Sequence, residues 1–268
     1  MTRLSEAFDG SRRSAAFIPY VCAGDPDRDF TMKLMRALGD AGSDIIELGM
    51  PFSDPVADGP VIQEAMNRSL TGGFRPAHLF DLISGARRGG LSKPIVVMTY
   101  FNPVLRMGVE KFCERLEASG ADGVLPVDLP IEESGELEDS AARHNLDVIR
   151  LIAPSTDDGR MDRILSKAQG FVYVVSVAGT TGMRDKLPGS TGDLLQRVVA
   201  KSKLPVVLGF GVSSPEHVRD AVSFGASGVV EGSKLVSLYA GTMSQRADAI
   251  ERIRTHVRAM KAACSKSD

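Results

Sequence analysis

The 268-residue chain is predicted to be a single-domain α/β protein of the (β/α)8, TIM-barrel class. Three observations predict it. Eight short runs rich in β-branched residues recur along the chain, longer stretches with apolar residues at three- and four-residue spacing lie between them, and several of those stretches end in the same glycine device. Runs apolar at every position belong to strands covered on both faces, and crossover helices between parallel strands supply the cover.

In chain order the strands are predicted at residues 15–21, 44–48, 94–98, 123–127, 148–152, 171–175, 205–209 and 228–231, with helices at 28–41, 109–119, 133–144, 160–168, 192–202 and 215–224 among those between them. Ala41-Gly42-Ser43-Asp44, Ser119-Gly120-Ala121-Asp122 and Phe224-Gly225-Ala226-Ser227 each place glycine where a helix closes in a left-handed cap before the next strand. An open doubly wound sheet is the structural alternative. Eight regular units favour closure, and the turn after the first strand, Ala23-Gly24-Asp25-Pro26, lacks the dinucleotide fingerprint. The length alone allows two domains, but barrels of this kind routinely run as one.

The balance of charge excludes some classes of partner. The net charge is −2 and the basic residues are dispersed, so neither a nucleic-acid nor an anionic-membrane surface is expected. No apolar stretch approaches a membrane span and the N-terminus has no signal-like apolar run, so a cytoplasmic location is expected. Cys22, Cys113 and Cys264 share no metal-ligand spacing and are expected to be free thiols, with no metal site. His78, His144, His217 and His256 fall in predicted outer helices or their approaches, where surface roles are expected.

Barrel active sites are built from the loops at the carboxyl ends of the strands, and the two longest strand-to-strand intervals follow strands two and six. Strand two reads Asp44-Ile45-Ile46-Glu47-Leu48, with a lone charge in an apolar run. Alternation turns Glu47 inward near the top of the barrel, where burial raises a carboxyl pKa toward neutrality and allows it to give and take protons. The alternative is a buried carboxylate satisfied by backbone or water. The following loop, Met50-Pro51-Phe52-Ser53-Asp54-Pro55-Val56-Ala57-Asp58-Gly59-Pro60, is stiffened by three prolines and carries two more acids, each of which could instead be a turn former.

That loop and its strand closely resemble the signature of the tryptophan synthase alpha subunit family, and similarity continues at Phe17-Ile18-Pro19-Tyr20, at Tyr100-Phe101-Asn102-Pro103 and at Asp122-Gly123-Val124-Leu125-Pro126-Val127-Asp128-Leu129-Pro130, spanning nearly the whole chain. The resemblance implies retro-aldol cleavage of indole-3-glycerol phosphate to indole and glyceraldehyde 3-phosphate, with Glu47 and Asp58 as the catalytic carboxylates and no cofactor. It further implies an aromatic and apolar pocket at Tyr20, Tyr100, Leu125 and Tyr173, and a lid after strand six in which Thr181 orders the closure and Gly182 joins the phosphate site. Tyr20 stands where many relatives have Phe, and Thr180 where bacterial members more often have Val.

Phosphate sites in such barrels lie after strands seven and eight, where this chain has Gly209-Phe210-Gly211-Val212-Ser213-Ser214 and Glu231-Gly232-Ser233-Lys234. Gly211 and Gly232 permit close approach of backbone N–H groups, and Ser233 adds a hydroxyl. The resemblance also implies a partner, the pyridoxal-phosphate-dependent beta subunit, in an alpha2beta2 complex touching Asp54, Pro55 and Asn102. Two functional alternatives stay open from the sequence: a stand-alone lyase that releases free indole, and a silent barrel that only activates its partner.

Overall fold

Short apolar runs between amphipathic helices have one economical arrangement, a parallel sheet rolled inside a ring of helices, and the computed structural model has that form. It describes residues 2–9, 14–176, 187–241 and 245–265. The strands are β1 (Ala16–Cys22), β2 (Ile46–Gly49), β3 (Ile95–Thr99), β4 (Gly123–Pro126), β5 (Asp147–Val148), β6 (Arg150–Ile152), β7 (Val172–Val175), β8 (Val206–Gly209) and β9 (Gly228–Glu231). All pairings are parallel, in the order β5-β4-β3-β2-β1-β9-β8-β7-β6, so the two ends of the sheet are neighbours in the chain, joined through Ile149.

The fifth predicted strand is thus two strands. Its lower half pairs with β4 and its upper half with β7. The cause is Pro126. Val124 faces the fifth strand, accepting from the Ile149 N–H at 2.9 Å, and two residues on the next group required to donate is Pro126, which has no N–H. Above that point β4 and β6 part, leaving a recess of about 350 Å³ lined by Pro126, Val127, Ile149, Leu151 and Thr156 among others.

The helices are α1 (Arg3–Asp9), α2 (Arg28–Asp40), α3 (Pro60–Thr71), α4 (Pro76–Arg88), α5 (Phe101–Met107), α6 (Val109–Ser119), α7 (Gly135–Arg143), α8 (Asp158–Lys167), α9 (Gly189–Lys201), α10 (Pro215–Ser223), α11 (Ser233–Ala240) and α12 (Arg246–Ala263). Helix starts follow local chemistry. Asp27 and Asp157 accept the first-turn amides of Phe30 and Arg160, and α3, α4 and α10 begin with proline. The predicted glycine caps hold, with Gly42, Gly120 and Gly225 at φ of 103°, 92° and 95°. The long interval after strand two is filled chiefly by α3 and α4. A short loop at its start carries the acids.

The three cysteines are free and buried. His217 departs from the expected surface role: it is buried, sharing the inward face of α10 with Val218 and Ala221. His256 on α12 holds the fully buried Glu231 carboxylate, at 2.8 Å from Oε2. Glu231 therefore turns outward to the helices, away from the barrel mouth. No described helix is long and apolar enough to cross a membrane.

Candidate active site

Register decides which side chains share the barrel interior. Tyr20 of β1 pairs with Glu47 of β2, and Glu47 with Val96 of β3; one layer higher, Cys22, Gly49, Met98 and Leu125 align. Glu47 is 3 % exposed, and the groups it influences electrostatically, Tyr20, Tyr173 and Asp58, come from two other strands and a loop. It points into the barrel, as alternation along β2 requires. No described residue donates a hydrogen bond to its carboxyl. Burial, with the Asp58 charge second, pushes its pKa up to about 8, so Glu47 is a neutral acid at pH 7.

Asp58 reaches the same interior from the loop between β2 and α3, and is buried. The loop is tied rather than free. Asp58 N–H donates to Pro55 O at 3.1 Å, and the Gln63 amide donates to Asp58 O at 2.9 Å. The Tyr100 hydroxyl donates to Asp58 Oδ2 at 2.6 Å while accepting from Ala57 N–H at 2.9 Å. Burial raises the Asp58 pKa and the Tyr100 hydroxyl opposes the rise. The two carboxyls are thus held differently: one has no donor and keeps its proton, the other faces a donor that favours its charge.

Tyr100, predicted as pocket wall, is therefore also the group that orients Asp58, and its ring packs on Phe52 with centroids 5.1 Å apart. Tyr20 and Tyr173 are buried at the mouth, where burial holds both phenols neutral. Each ring lies across a strand glycine. A β-carbon at Gly49 would meet Tyr20 Oη at 2.1 Å, and one at Gly209 would meet Tyr173 Oη at 2.0 Å. Gly49 and Met98, which shares the layer of Leu125, carry no expectation from the sequence, and Gly209 was expected in the phosphate turn but not beneath a ring; the glycines ending two strands were the available signal. The Tyr20 hydroxyl is buried over Gly49 beside the Cys22 thiol and makes no other hydrogen bond among the described residues.

Next to these rings Gly211 follows β8 at φ 77°, exposed, and Gly232 precedes α11, whose first turn has no side-chain cap. Ser233 is exposed at the start of that helix, and the unpaired amides there carry the helix's positive end. Thr180, Thr181 and Gly182 lie outside the described residues. Asp54 and Asn102 are exposed and Pro55 is partly so, in the loop after β2 and on α5; Val56 and Leu105 beside them are 85 % and 54 % exposed. Among the described residues no cluster of His, Cys, Asp and Glu could hold a metal.

The chain carries a buried acid on the second strand, an aspartate fixed by a tyrosine that follows the third and two glycine turns after β8 and β9, and a family profile described as tryptophan synthase alpha chain matches residues 7–265. The chain belongs to that family. It is 43 % identical over 266 residues to the tryptophan synthase alpha chain of Carboxydothermus hydrogenoformans, covering 97 % of this chain and 99 % of the relative. A crystal structure of tryptophan synthase subunit alpha from Legionella pneumophila superposes with a TM-score of 0.90 at 32 % identity, covering 98 % of both chains. A chain in the crystal structure of a tryptophan synthase complex from Pyrococcus furiosus superposes with a TM-score of 0.84 at 40 % identity, covering 92 % of this chain and 98 % of that one. As a tryptophan synthase alpha chain the protein is a carbon–carbon lyase of indole-3-glycerol phosphate, acting in tryptophan biosynthesis.

Proposed function

We propose that Glu47 and Asp58 carry out this cleavage within one barrel domain spanning residues 1–268. The observation that carries the assignment is the inward, donor-free Glu47, protonated at neutral pH, in the same interior as a hydrogen-bonded Asp58. Glu47 gives its proton to C3 of the indole. The carboxylate so formed takes the proton of the hydroxyl on the adjacent glycerol carbon. The O–H electron pair becomes the aldehyde C=O, the carbon–carbon bond breaks, and its electrons return to the ring. Asp58 accepts a hydrogen bond from the ring N–H and offsets the positive charge that develops there during the step. Every atom and proton is accounted for without a cofactor or metal.

The indole plane fits between Tyr20, Tyr100, Leu125 and Tyr173, and the phosphate meets Gly211, Gly232 and Ser233, with Thr181 and Gly182 completing the enclosure. The exposed apolar pair Val56 and Leu105, beside Asp54, Pro55 and Asn102, supports a partner surface directly above the catalytic loop. The partner is the beta subunit in an alpha2beta2 complex, which carries the pyridoxal phosphate and takes up the indole, and the assembly is cytoplasmic.

The test is indole release from indole-3-glycerol phosphate, with and without the beta subunit. Glu47→Gln keeps size and neutrality but cannot yield the carboxylate base; it is expected to lower kcat by at least about 100-fold with substrate binding retained. Retained turnover would remove Glu47 from the mechanism, and a rate indifferent to the beta subunit would favour the stand-alone lyase.

A further inference from the structure

We propose that Ser176 is a positioning residue that turns the Gly211 amide N–H toward the substrate's phosphate. The inference rests on the reading that the turn after β8 receives that phosphate. Phe210 and Gly211 both have left-handed backbone conformations, with φ of 65° and 77°. Phe210 carries a β-carbon and is disfavoured there, so something must hold it.

Ser176, which follows the neighbouring strand β7, supplies the hold twice. Its N–H donates to Gly209 O at 3.1 Å and its hydroxyl donates to Phe210 O at 2.7 Å, and Ser176 is itself buried. The Phe210 ring stands edge-on to Tyr173, with centroids 6.3 Å apart at 74°. In a trans peptide the C=O and the following N–H point in opposite directions. A carbonyl pinned against the Ser176 hydroxyl therefore directs the Gly211 N–H away from Ser176, toward the open side of the turn. That N–H has no partner among the described residues, and Gly211 is exposed.

Glycine at 211 suits the same device. A β-carbon there would sit 3.2 Å from Ser176 Oγ, and the left-handed φ would strain it further. Among the described residues the Ser176 hydroxyl makes the one side-chain hydrogen bond to the Phe210 carbonyl. Without it the peptide can rotate, presenting a carbonyl oxygen where an anion must bind.

The experiment uses the full-length, 15N-labelled chain, titrated with inorganic phosphate while the Gly211 amide resonance is followed, alongside steady-state cleavage of indole-3-glycerol phosphate. Ser176→Ala is expected to raise both KM and the apparent Kd for phosphate about 5- to 10-fold, the scale of the one neutral hydrogen bond that is removed, with kcat within about twofold. Ser176→Thr retains the hydroxyl and is expected to keep KM within about twofold of the parent even where its extra methyl lowers the melting temperature. A Ser176→Ala variant that melts lower but keeps both constants would reduce Ser176 to a structural role. A parent Gly211 resonance indifferent to phosphate would instead overturn the phosphate reading of this turn, and the positioning role with it.

Discussion

Replacing Tyr100 by Phe removes a single oxygen atom that serves two partners. The ring remains and its packing on Phe52 is kept. The variant loses the 2.6 Å hydrogen bond to the Asp58 carboxylate and leaves the Ala57 N–H, 2.9 Å from the same oxygen, without its acceptor. A hydrogen bond to a charged group contributes about 1.5–3 kcal/mol, and Tyr100 is 1 % exposed, so water cannot easily replace its hydroxyl. If that bond holds Asp58 in the geometry the transition state needs, kcat/KM falls by about 10- to 100-fold at about 1.4 kcal/mol per factor of ten. The direction of the pH effect also follows. Burial raises the Asp58 pKa and the tyrosine hydroxyl opposes the rise, so its loss raises the pKa further. The acidic limb of the kcat/KM profile should therefore move to higher pH. The assay is indole release as a function of pH for the parent, Tyr100→Phe and, as a control, Tyr173→Phe, whose hydroxyl makes no hydrogen bond to Asp58. A Tyr100→Phe enzyme with kcat/KM within twofold and an unmoved acidic limb would refute the reasoning.

Two further outcomes are expected. Burial pushes the Glu47 pKa from its ordinary 4.5 up to about 8, so between these values the folded chain holds a proton that the unfolded chain releases. Its contribution to stability is greatest below pH 4.5 and is lost as the pH rises through 8, so Glu47→Gln should melt several degrees above the parent at pH 9 and close to it at pH 5 in thermal scans. Arg68 donates to both carboxylate oxygens of the fully buried Asp25, at 2.9 and 2.8 Å, and Arg68→Met strands that charge; a loss of about 3 kcal/mol in denaturant unfolding is expected, and a loss under 1 kcal/mol would show that the Tyr239 hydroxyl suffices.

Much of the site was legible before any coordinates. Glu47 stood out as a lone charge inside Ile45-Ile46-Glu47-Leu48, and period-two alternation set it on the face opposite Ile46 and Leu48. The left-handed glycine caps were legible because each depends on one residue's freedom at φ above zero. The break in the fifth strand was not read, although its cause, Pro126, was in view: a missing N–H matters only once it is known which neighbour that N–H would face. The two helices after the catalytic loop were left unassigned within a long interval, despite proline at both their starts.

The chain's own pattern determined the repeat, the parallel strands, the inward acid and the glycine turns, because all of these follow from period, propensity and local backbone freedom over a few residues. Tertiary structure alone decided the pairings across distance. Tyr100 meets Asp58 from 42 residues away, Tyr20 lies over Gly49, Tyr173 over Gly209, and Ser176 reaches the Phe210 carbonyl from the adjacent strand. Such contacts depend on barrel register and on the path of each loop. Residues near in space but far along the chain leave no periodic trace in a single sequence.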